Sequence, residues 1–233
     1  MNSVNLIITG PIRPNIDYVN NMILYFKTLI KYDSKVFLGY WKNEDDDYSN
    51  KIKNVDYFVP CIEPDDDLIY KNIYGRTIQQ NQLNGKIEHW TPRTYKMFYG
   101  IKQMVEFIDN KKLIHPEAIT LRIRTDLFVA NCYQGEFNKL IFNMKQNSVY
   151  NRIRRHPCDW FTISSYDVFK KIWFIATDDE YNKIIEKIYN AEDIIKYKSE
   201  LYKINIFDIK KIIDLGICRK YDIQVQTYDN HNI

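Results

Sequence analysis

The chain has 233 residues, of which 45% are hydrophobic and 15% aromatic, with 33 basic against 30 acidic side chains. This length suits one domain with a sizeable core, and the apolar content argues against an intrinsically disordered chain. A formal net charge of +3 is far from the strongly basic surface of a nucleic-acid-binding protein, so we expect no nucleic-acid partner.

Cysteine spacing and hydropathy indicate the compartment. The four cysteines show no CxxC or Cys/His spacing, which favours buried free thiols over a zinc site. The apolar run near the N-terminus is too short for a signal peptide and has no basic segment before it. No stretch approaches the run of about 20 apolar residues that a membrane span needs. We therefore expect a cytoplasmic protein without a transmembrane segment.

Strands and helices alternate in the first part of the chain. VNLIIT (4–9) predicts a buried strand, which GPIRPN ends because a glycine and two prolines oppose its continuation. Apolar residues at helical spacing predict a helix over 16–32. SKVFLGYW (34–41) and VDYFVPCI (55–62) predict two further strands. This strand–helix–strand order favours a parallel sheet.

The remaining elements continue the α/β pattern. Two helices are predicted over 69–85 and 91–112, the second with Thr91 as its N-cap and Pro92 at its first helical position. The later elements are a strand at 118–124, one or two strands within 149–165, helices over 166–174 and 181–204, and a last strand at 221–228. We therefore predict a single α/β domain over 1–233, with a mostly parallel central sheet flanked by helices and a helical C-terminal region.

Two arginines and an aspartate gather at the end of the most strand-like stretch. Within ITLRIR (119–124), alternation places the apolar side chains on one face and both Arg122 and Arg124 on the other. Ligands of open parallel sheets bind beyond the carboxyl ends of the strands. There Asp126 suits Mg²⁺ or Mn²⁺, and the guanidinium groups suit a diphosphate. A structural ion pair at the strand end explains the same pattern.

Other polar residues have a functional and a plain interpretation. Arg13, in the loop after the first strand, either reaches a phosphate or base or is simply solvated. The acidic runs at 44–47 and 65–67 are more typical of solvated loops than of metal sites. Asp159 precedes a large aromatic residue and an apolar strand, so it either serves as a partly desolvated general base or caps a turn.

Five stretches together resemble a group of glycosyltransferases, the WavE-type and related enzymes of bacterial surface-polysaccharide loci and large DNA viruses. They are IITGPIR, FLGYW, RTYKMFYGIK, LRIRTDLFV and DWFTISSYDVFKKIW, in that order over roughly three quarters of the chain. The resemblance implies a GT-A-type, Rossmann-like domain that uses a nucleotide-sugar donor, UDP- or GDP-linked, and a glycan or glycoconjugate acceptor. It divides the chain into a nucleotide-binding part, about 1–130, and an acceptor-side and helical part, about 131–233.

The resemblance also implies a set of donor-binding residues. Thr9, Gly10 and Arg13 would line the nucleotide pocket, with Tyr40 or Trp41 near the base. The further pocket residues that it implies are Arg76, Tyr95 and Lys96.

Its implied chemistry centres on two aspartates. Asp126 would hold the diphosphate together with Mn²⁺ or Mg²⁺, and Asp159 would deprotonate the acceptor hydroxyl in an inverting transfer. RTD departs from the usual DXD motif, because only Asp126 of its two acids is present, so Arg122 and Arg124 would supply part of the positive charge. An exposed Asp126 predicts that its removal abolishes transfer and spares folding.

Two other functions stay open from the sequence. The missing acid of the DXD pattern favours a non-catalytic module that binds nucleotide sugars or glycans. A nucleotidyltransferase shares the α/β organisation, but GPIRPN has one glycine and no lysine where a phosphate-binding loop would need several glycines and a lysine.

Overall fold

A computed structural model of the protein describes residues 3–42, 48–74, 92–153, 156–186, 188 and 190–217. Its strands are β1 (Val4–Thr9), β2 (Ser34–Trp41), β3 (Tyr57–Cys61), β4 (Ile119–Arg124), β5 (Leu127–Cys132), β6 (Ser148–Ile153), β7 (Pro157–Ser165), β8 (Asn205–Asp208) and β9 (Ile213–Ile217). Its helices are α1 (Ile16–Leu29), α2 (Asp66–Ile69) with a π-helical turn (Tyr70–Tyr74), α3 (Pro92–Asn110), α4 (Gln134–Phe142), α5 (Tyr166–Trp173), α6 (Asp178–Ile185) and α7 (Ala191–Leu201).

The central sheet has seven strands in the order β3-β2-β1-β4-β7-β6-β8. The pairs from β3 to β4 are parallel, and β7 is the one strand of this sheet that runs in the opposite direction. The predicted α/β fold with a mostly parallel sheet is therefore confirmed. Because β1, β2 and β4 are parallel neighbours, their carboxyl ends meet at one edge of the sheet.

Apolar cores cover both faces of this sheet. One face packs against α1 and α4, and the other packs against α3, α5, α6 and α7. The apolar side of β4 belongs to the first core, as its alternation predicts, but its opposite side is also buried. The two arginines of β4 therefore do not lie on a solvated face, which makes their partners the central question of the site.

Several element boundaries follow the sequence closely. The first two strands have the predicted bounds, and Pro92 is the first residue of α3. Helix α1 begins at Ile16 as predicted but ends at Leu29, before the predicted end at residue 32. The segment 149–165 forms two strands, paired as an antiparallel hairpin. Of the helix expected over 69–85, the described part is the end of α2 and the π-helical turn.

The prediction of continuous helix over 181–204 is wrong. Here α6 ends at Ile185 and α7 begins at Ala191, with Asn190 between them as an N-cap whose side chain accepts from the backbone N–H of Asp193. An asparagine cap followed by acidic residues starts a new helix more readily than it continues an old one.

Four described elements were not predicted: β5, α4, β8 and β9. Positions 44–47, 76, 91 and 221–228, each part of a sequence-based prediction, lie outside the described residues. The three described cysteines are free thiols, in agreement with their spacing. No helix in the described ranges combines the length and hydropathy that would let it cross a membrane.

Candidate active site

A cleft of about 980 Å³ opens at the carboxyl ends of β1, β2 and β4. Its wall takes Thr9 and the following loop from β1, the last three residues of β2, and both arginines of β4. Asp159 of β7, the first half of α3 and Ala191 of α7 contribute further parts of the wall, and its remaining residues are Tyr48, Cys61, Glu63 and Asp66. Parallel pairing explains the convergence, since Thr9 lies in register with Gly39 on one side and with Arg124 on the other.

The loop after β1 lies close against the turn after β4. Gly10 has φ +138°, and a Cβ there would lie 3.1 Å from Thr125 Oγ1. The Thr125 hydroxyl donates to the carbonyl of Pro11, which fastens the two segments together. Since residues other than glycine rarely adopt this φ, Gly10 keeps the backbone against that turn and the cleft mouth open.

Aromatic side chains form the wall at the end of β2. The Trp41 ring rests on α3 where Gly100 has no side chain, so that a Cβ at Gly100 would lie 3.0 Å from Trp41 Cη2. The Tyr40 ring meets Tyr48 edge to face, with centroids 5.0 Å apart. A flat aromatic ligand such as a nucleobase can stack on such a surface.

Arg124 is occupied by two carboxylates. Its Nε and Nη2 donate to Asp126 Oδ1 and Oδ2 at 2.9 and 2.8 Å, and its Nη1 donates to Asp159 Oδ2 at 3.1 Å. Burial alone would lower the pKa of Arg124, but attraction and hydrogen bonds from both aspartates raise it above its ordinary value.

Arg122 is in the opposite situation. Its side chain is fully buried on the cleft wall, and its guanidinium lies over the Trp173 ring with the central carbon 4.2 Å from the centroid. Nε, Nη1 and Nη2 have no hydrogen-bond partner among the described residues. Burial lowers the pKa of Arg122 to about 9, with the nearby charge of Asp159 opposing that shift, so the group stays cationic at neutral pH.

Lys96 lies at the rim of the cleft between two acids. Its Nζ is 2.7 Å from Glu63 and 2.6 Å from Asp66. Burial alone would lower the pKa of Lys96, but hydrogen bonds to and attraction by these carboxylates raise it. This amine is therefore a charged and oriented donor at the rim.

Most of the residues expected at the site do lie together. The cleft wall includes Thr9, Gly10, Arg13, Tyr40, Trp41, Lys96, Arg122, Arg124 and Asp159. Tyr95 lies elsewhere: it is buried in the core beside Tyr99 and Tyr181, and its hydroxyl donates to Asp178 at 2.7 Å. Arg76 lies outside the described residues.

Asp126 is not the exposed strand-end carboxylate that the sequence suggested. The residue is 5% exposed, lies outside the described cleft wall, and accepts from Arg124 on both oxygens. Nor do three or more His, Cys, Asp or Glu side chains come together as a metal site in the part of the chain that the structure describes. As arranged, Asp126 faces a guanidinium with both oxygens and not an open cation site.

Three contributors to the site were missed by the sequence analysis. Trp173 supports Arg122, Gly100 gives room to Trp41, and Glu192 lies in the first turn of α7. Burial and the nearby charge of Asp159 raise the pKa of Glu192. The sequence did contain a signal for Glu192, because Asn190 before it is a typical helix N-cap. Nothing in the sequence indicates that Trp173 contacts Arg122.

No protein-family model and no curated protein matches the sequence. Among solved structures, the chain is similar to a protein named as a nucleotide-diphospho-sugar transferase from Desulfovibrio desulfuricans, at 8% identity and TM-score 0.48, over 89% of this chain and 79% of that one. It is also similar to mouse xyloside xylosyltransferase 1, at 7% identity and TM-score 0.42, over 90% and 85% of the two chains. A protein named as a glucose-1-phosphate thymidylyltransferase from Bacillus anthracis gives 9% identity and TM-score 0.43, over 92% and 89%. At TM-scores below 0.5 these likenesses carry no argument about function, which rests on the cleft itself.

Proposed function

We propose that the protein is a glycosyltransferase that moves a sugar from a nucleotide-sugar donor to a glycan or glycoconjugate acceptor. One observation carries the proposal: the carboxylate of Asp159 shares one cleft wall with the buried guanidinium of Arg122, which has no hydrogen-bond partner among the described residues. Such a transfer needs a cation for a leaving diphosphate and a base for an acceptor hydroxyl, in reach of the same sugar.

The chemistry of the wall supports one position for the donor. Its diphosphate lies at Arg122, because this is the buried cation whose hydrogen-bond donors are unused by the described residues. Its base stacks on the aromatic wall at Trp41, and the loop at Gly10 closes over the sugar-phosphate part. Lys96, held by its two acids, is a donor for a ribose or sugar hydroxyl.

Asp159 is the proposed base. Arg124 donates to its Oδ2 and fixes its orientation, which leaves Oδ1 for the acceptor hydroxyl. As the hydroxyl oxygen bonds to the anomeric carbon, its proton passes to Asp159. The bond from that carbon to the diphosphate breaks, and the nucleoside diphosphate departs with the electron pair toward Arg122. Attack opposite the leaving group inverts the anomeric centre.

A thermal-shift panel of UDP-, GDP-, TDP- and CMP-sugars names the donor, since a ligand that binds only the folded state raises its apparent stability. The donor is then incubated with acceptors, and released nucleoside diphosphate is measured for the parent protein, Asp159→Asn and the control Asp167→Asn, which changes a half-buried carboxylate outside the cleft wall. We expect Asp159→Asn to bind the donor and to lose at least about a hundredfold in turnover, in line with the usual contribution of a general base. The control should match the parent. Donor binding without turnover in the parent protein would instead favour a non-catalytic binding module.

A further inference from the structure

We propose that the cleft binds a diphosphate through Arg122 without a divalent metal ion, and that Arg124 is a positioning residue for Asp159. The two arginines of β4 thus have different roles, although the sequence presents them as an equivalent pair. The inference rests on the proposed function only for the identity of the diphosphate as part of a nucleotide sugar.

The first step is that the charge of Arg124 is already compensated by two carboxylates. Its Nε, Nη1 and Nη2 all donate to carboxylates, two of them to Asp126 and one to Asp159. One N–H on each of Nη1 and Nη2 remains beyond these three bonds, but a diphosphate at Arg124 would also face the charges of both carboxylates. Arg124 is better suited to hold Asp159 in place than to receive an anion.

The second step is that Arg122 presents its donors in a fixed plane. A guanidinium donates hydrogen bonds from its edges, and the face that lies on Trp173 carries none of them. The stack therefore fixes the plane of Arg122, and the N–H groups on its edges, buried at the cleft wall, are used by none of the described residues. Two parallel N–H donors match two oxygens of a phosphate.

The third step concerns charge. The described cleft wall carries five cationic side chains and three carboxylates, and Lys96 and Arg124 engage all three carboxylates. The three other cationic side chains of the wall are Arg13, Arg93 and Arg122. Arg13 and Arg93 are exposed, whereas Arg122 is buried. A buried charge without a partner is unfavourable, and an anionic ligand would supply the missing partner.

The last step concerns the acid that would otherwise hold a metal. Asp126 lies outside the described cleft wall with both oxygens accepting from Arg124, so a cation beside a diphosphate in the cleft would not meet it. In a metal-dependent site, Asp126 would bind a metal ion that supplies positive charge to the diphosphate. Here Arg122 on the same strand supplies that positive charge.

The test is calorimetric titration of the full chain with inorganic pyrophosphate, in EDTA and in Mg²⁺, with correction for the magnesium pyrophosphate complex in solution. We expect dissociation constants that agree within about threefold between the two conditions. Arg122→Met should weaken binding at least tenfold. Lys171→Met, which removes the same charge from the helix surface outside the cleft, should leave binding unchanged.

Further variants keep the result decisive. If Arg122→Met fails to fold, Arg122→Lys retains the charge, loses the planar fork, and should still weaken binding. Arg124→Lys should bind pyrophosphate like the parent protein. Binding that requires Mg²⁺, binding in neither condition, or an Arg122 variant with parental affinity would overturn the inference. Pyrophosphate binding in EDTA without any sugar transfer would reject the transferase and keep the anion site, whereas transfer that depends on metal would do the reverse.

Discussion

Arg124 and Asp126 form a two-pronged ion pair across a single intervening residue, with both carboxylate oxygens within 2.9 Å of the guanidinium. The pair closes the turn that joins β4 to β5. Because the third donor of Arg124 reaches Asp159, the same guanidinium also ties that turn to β7. The strand end that looks like a metal motif in the sequence is built as a rigid corner.

Asp126→Ala should therefore destabilise the protein, contrary to the expectation from an exposed carboxylate. Removing one partner of a buried ion pair leaves the other charge poorly compensated, and we expect a loss of about 3 kcal/mol in the free energy of unfolding. Urea denaturation measures this loss. Glu136→Ala, which breaks the exposed pair with Lys139, is the control and should cost less than about 1 kcal/mol. A loss as small as that of the control would mean that Asp126 does not hold the corner.

Arg122→Met should have the opposite effect and raise stability. Methionine fills much of the same space against Trp173 without the desolvation cost of a buried charge, so we expect a gain of about 1 kcal/mol or more in the free energy of unfolding. Arg152→Met is the matched control. Arg152 is also buried, but it donates to the Leu215 carbonyl and pairs with Asp214 at 2.7 Å, so its loss should destabilise. If both variants lose stability alike, Arg122 has a structural role that its contacts do not reveal.

Gly100→Ala should weaken binding of the nucleobase at Trp41 without affecting binding of the diphosphate at Arg122. The new methyl group would lie 3.0 Å from Trp41 Cη2, so the indole ring must shift by a few tenths of an ångström. We expect a nucleoside diphosphate to bind about three- to tenfold more weakly, while inorganic pyrophosphate binds as before. Alanine favours a helix over glycine by up to about 1 kcal/mol, which offsets the strain in stability. Equal losses for both ligands would place Trp41 away from the base.

Glu192→Gln should stabilise the protein at neutral pH. Burial first, and then the charge of Asp159, raise the pKa of Glu192 in the folded state, with a smaller contribution from Asp193 and an opposing one from His156. The folded state then holds more protons at Glu192 than the unfolded chain does, so this group lowers stability as pH rises from the unfolded pKa through the folded one.

The predicted signature of Glu192→Gln is a higher melting temperature at pH 7.5 that fades to no difference near pH 4. Each kcal/mol of relieved penalty is worth about 2–4 °C in a protein of this size. Melting curves at both pH values measure it, with the exposed Glu106→Gln as control. A gain that is the same at both pH values would assign the effect to something other than ionisation.

Local sequence signals predicted the elements that carry the site better than the contacts within it. β1 and β2 are apolar runs ended by strong breakers, and Pro92 marks the start of α3, so their bounds were readable. Strands β5 and β9, which pair with each other in a separate two-stranded sheet, and the short β8 have no strong period or breaker, and tertiary pairing decides them. The wall residues Thr9, Trp41 and Asp159 follow from the rule that strand ends converge.

The sequence did not predict which charged side chains of the site pair with each other. Arg122 and Arg124 have the same residue type, the same strand face and nearly the same position, yet one is paired and the other is not. Arg124 pairs with Asp126, two residues along the chain, and with Asp159, whereas Arg122 lies over Trp173. Of these contacts, those of Asp159 and Trp173 come from distant parts of the chain. Alternation fixes the face of a side chain, but three-dimensional packing selects its partner.

Because of the register of the central sheet, ligand binding also indicates whether its strands have paired. Thr9, Gly39 and Arg124 lie side by side on three neighbouring strands although they are far apart in sequence. A chain in which β1 and β2 have paired but β4 has not joined them has the aromatic wall and lacks the buried cation. The refolding chain should therefore bind a diphosphate only after β4 has inserted between β1 and β7. Binding of the anion during refolding would then show that the central sheet has formed.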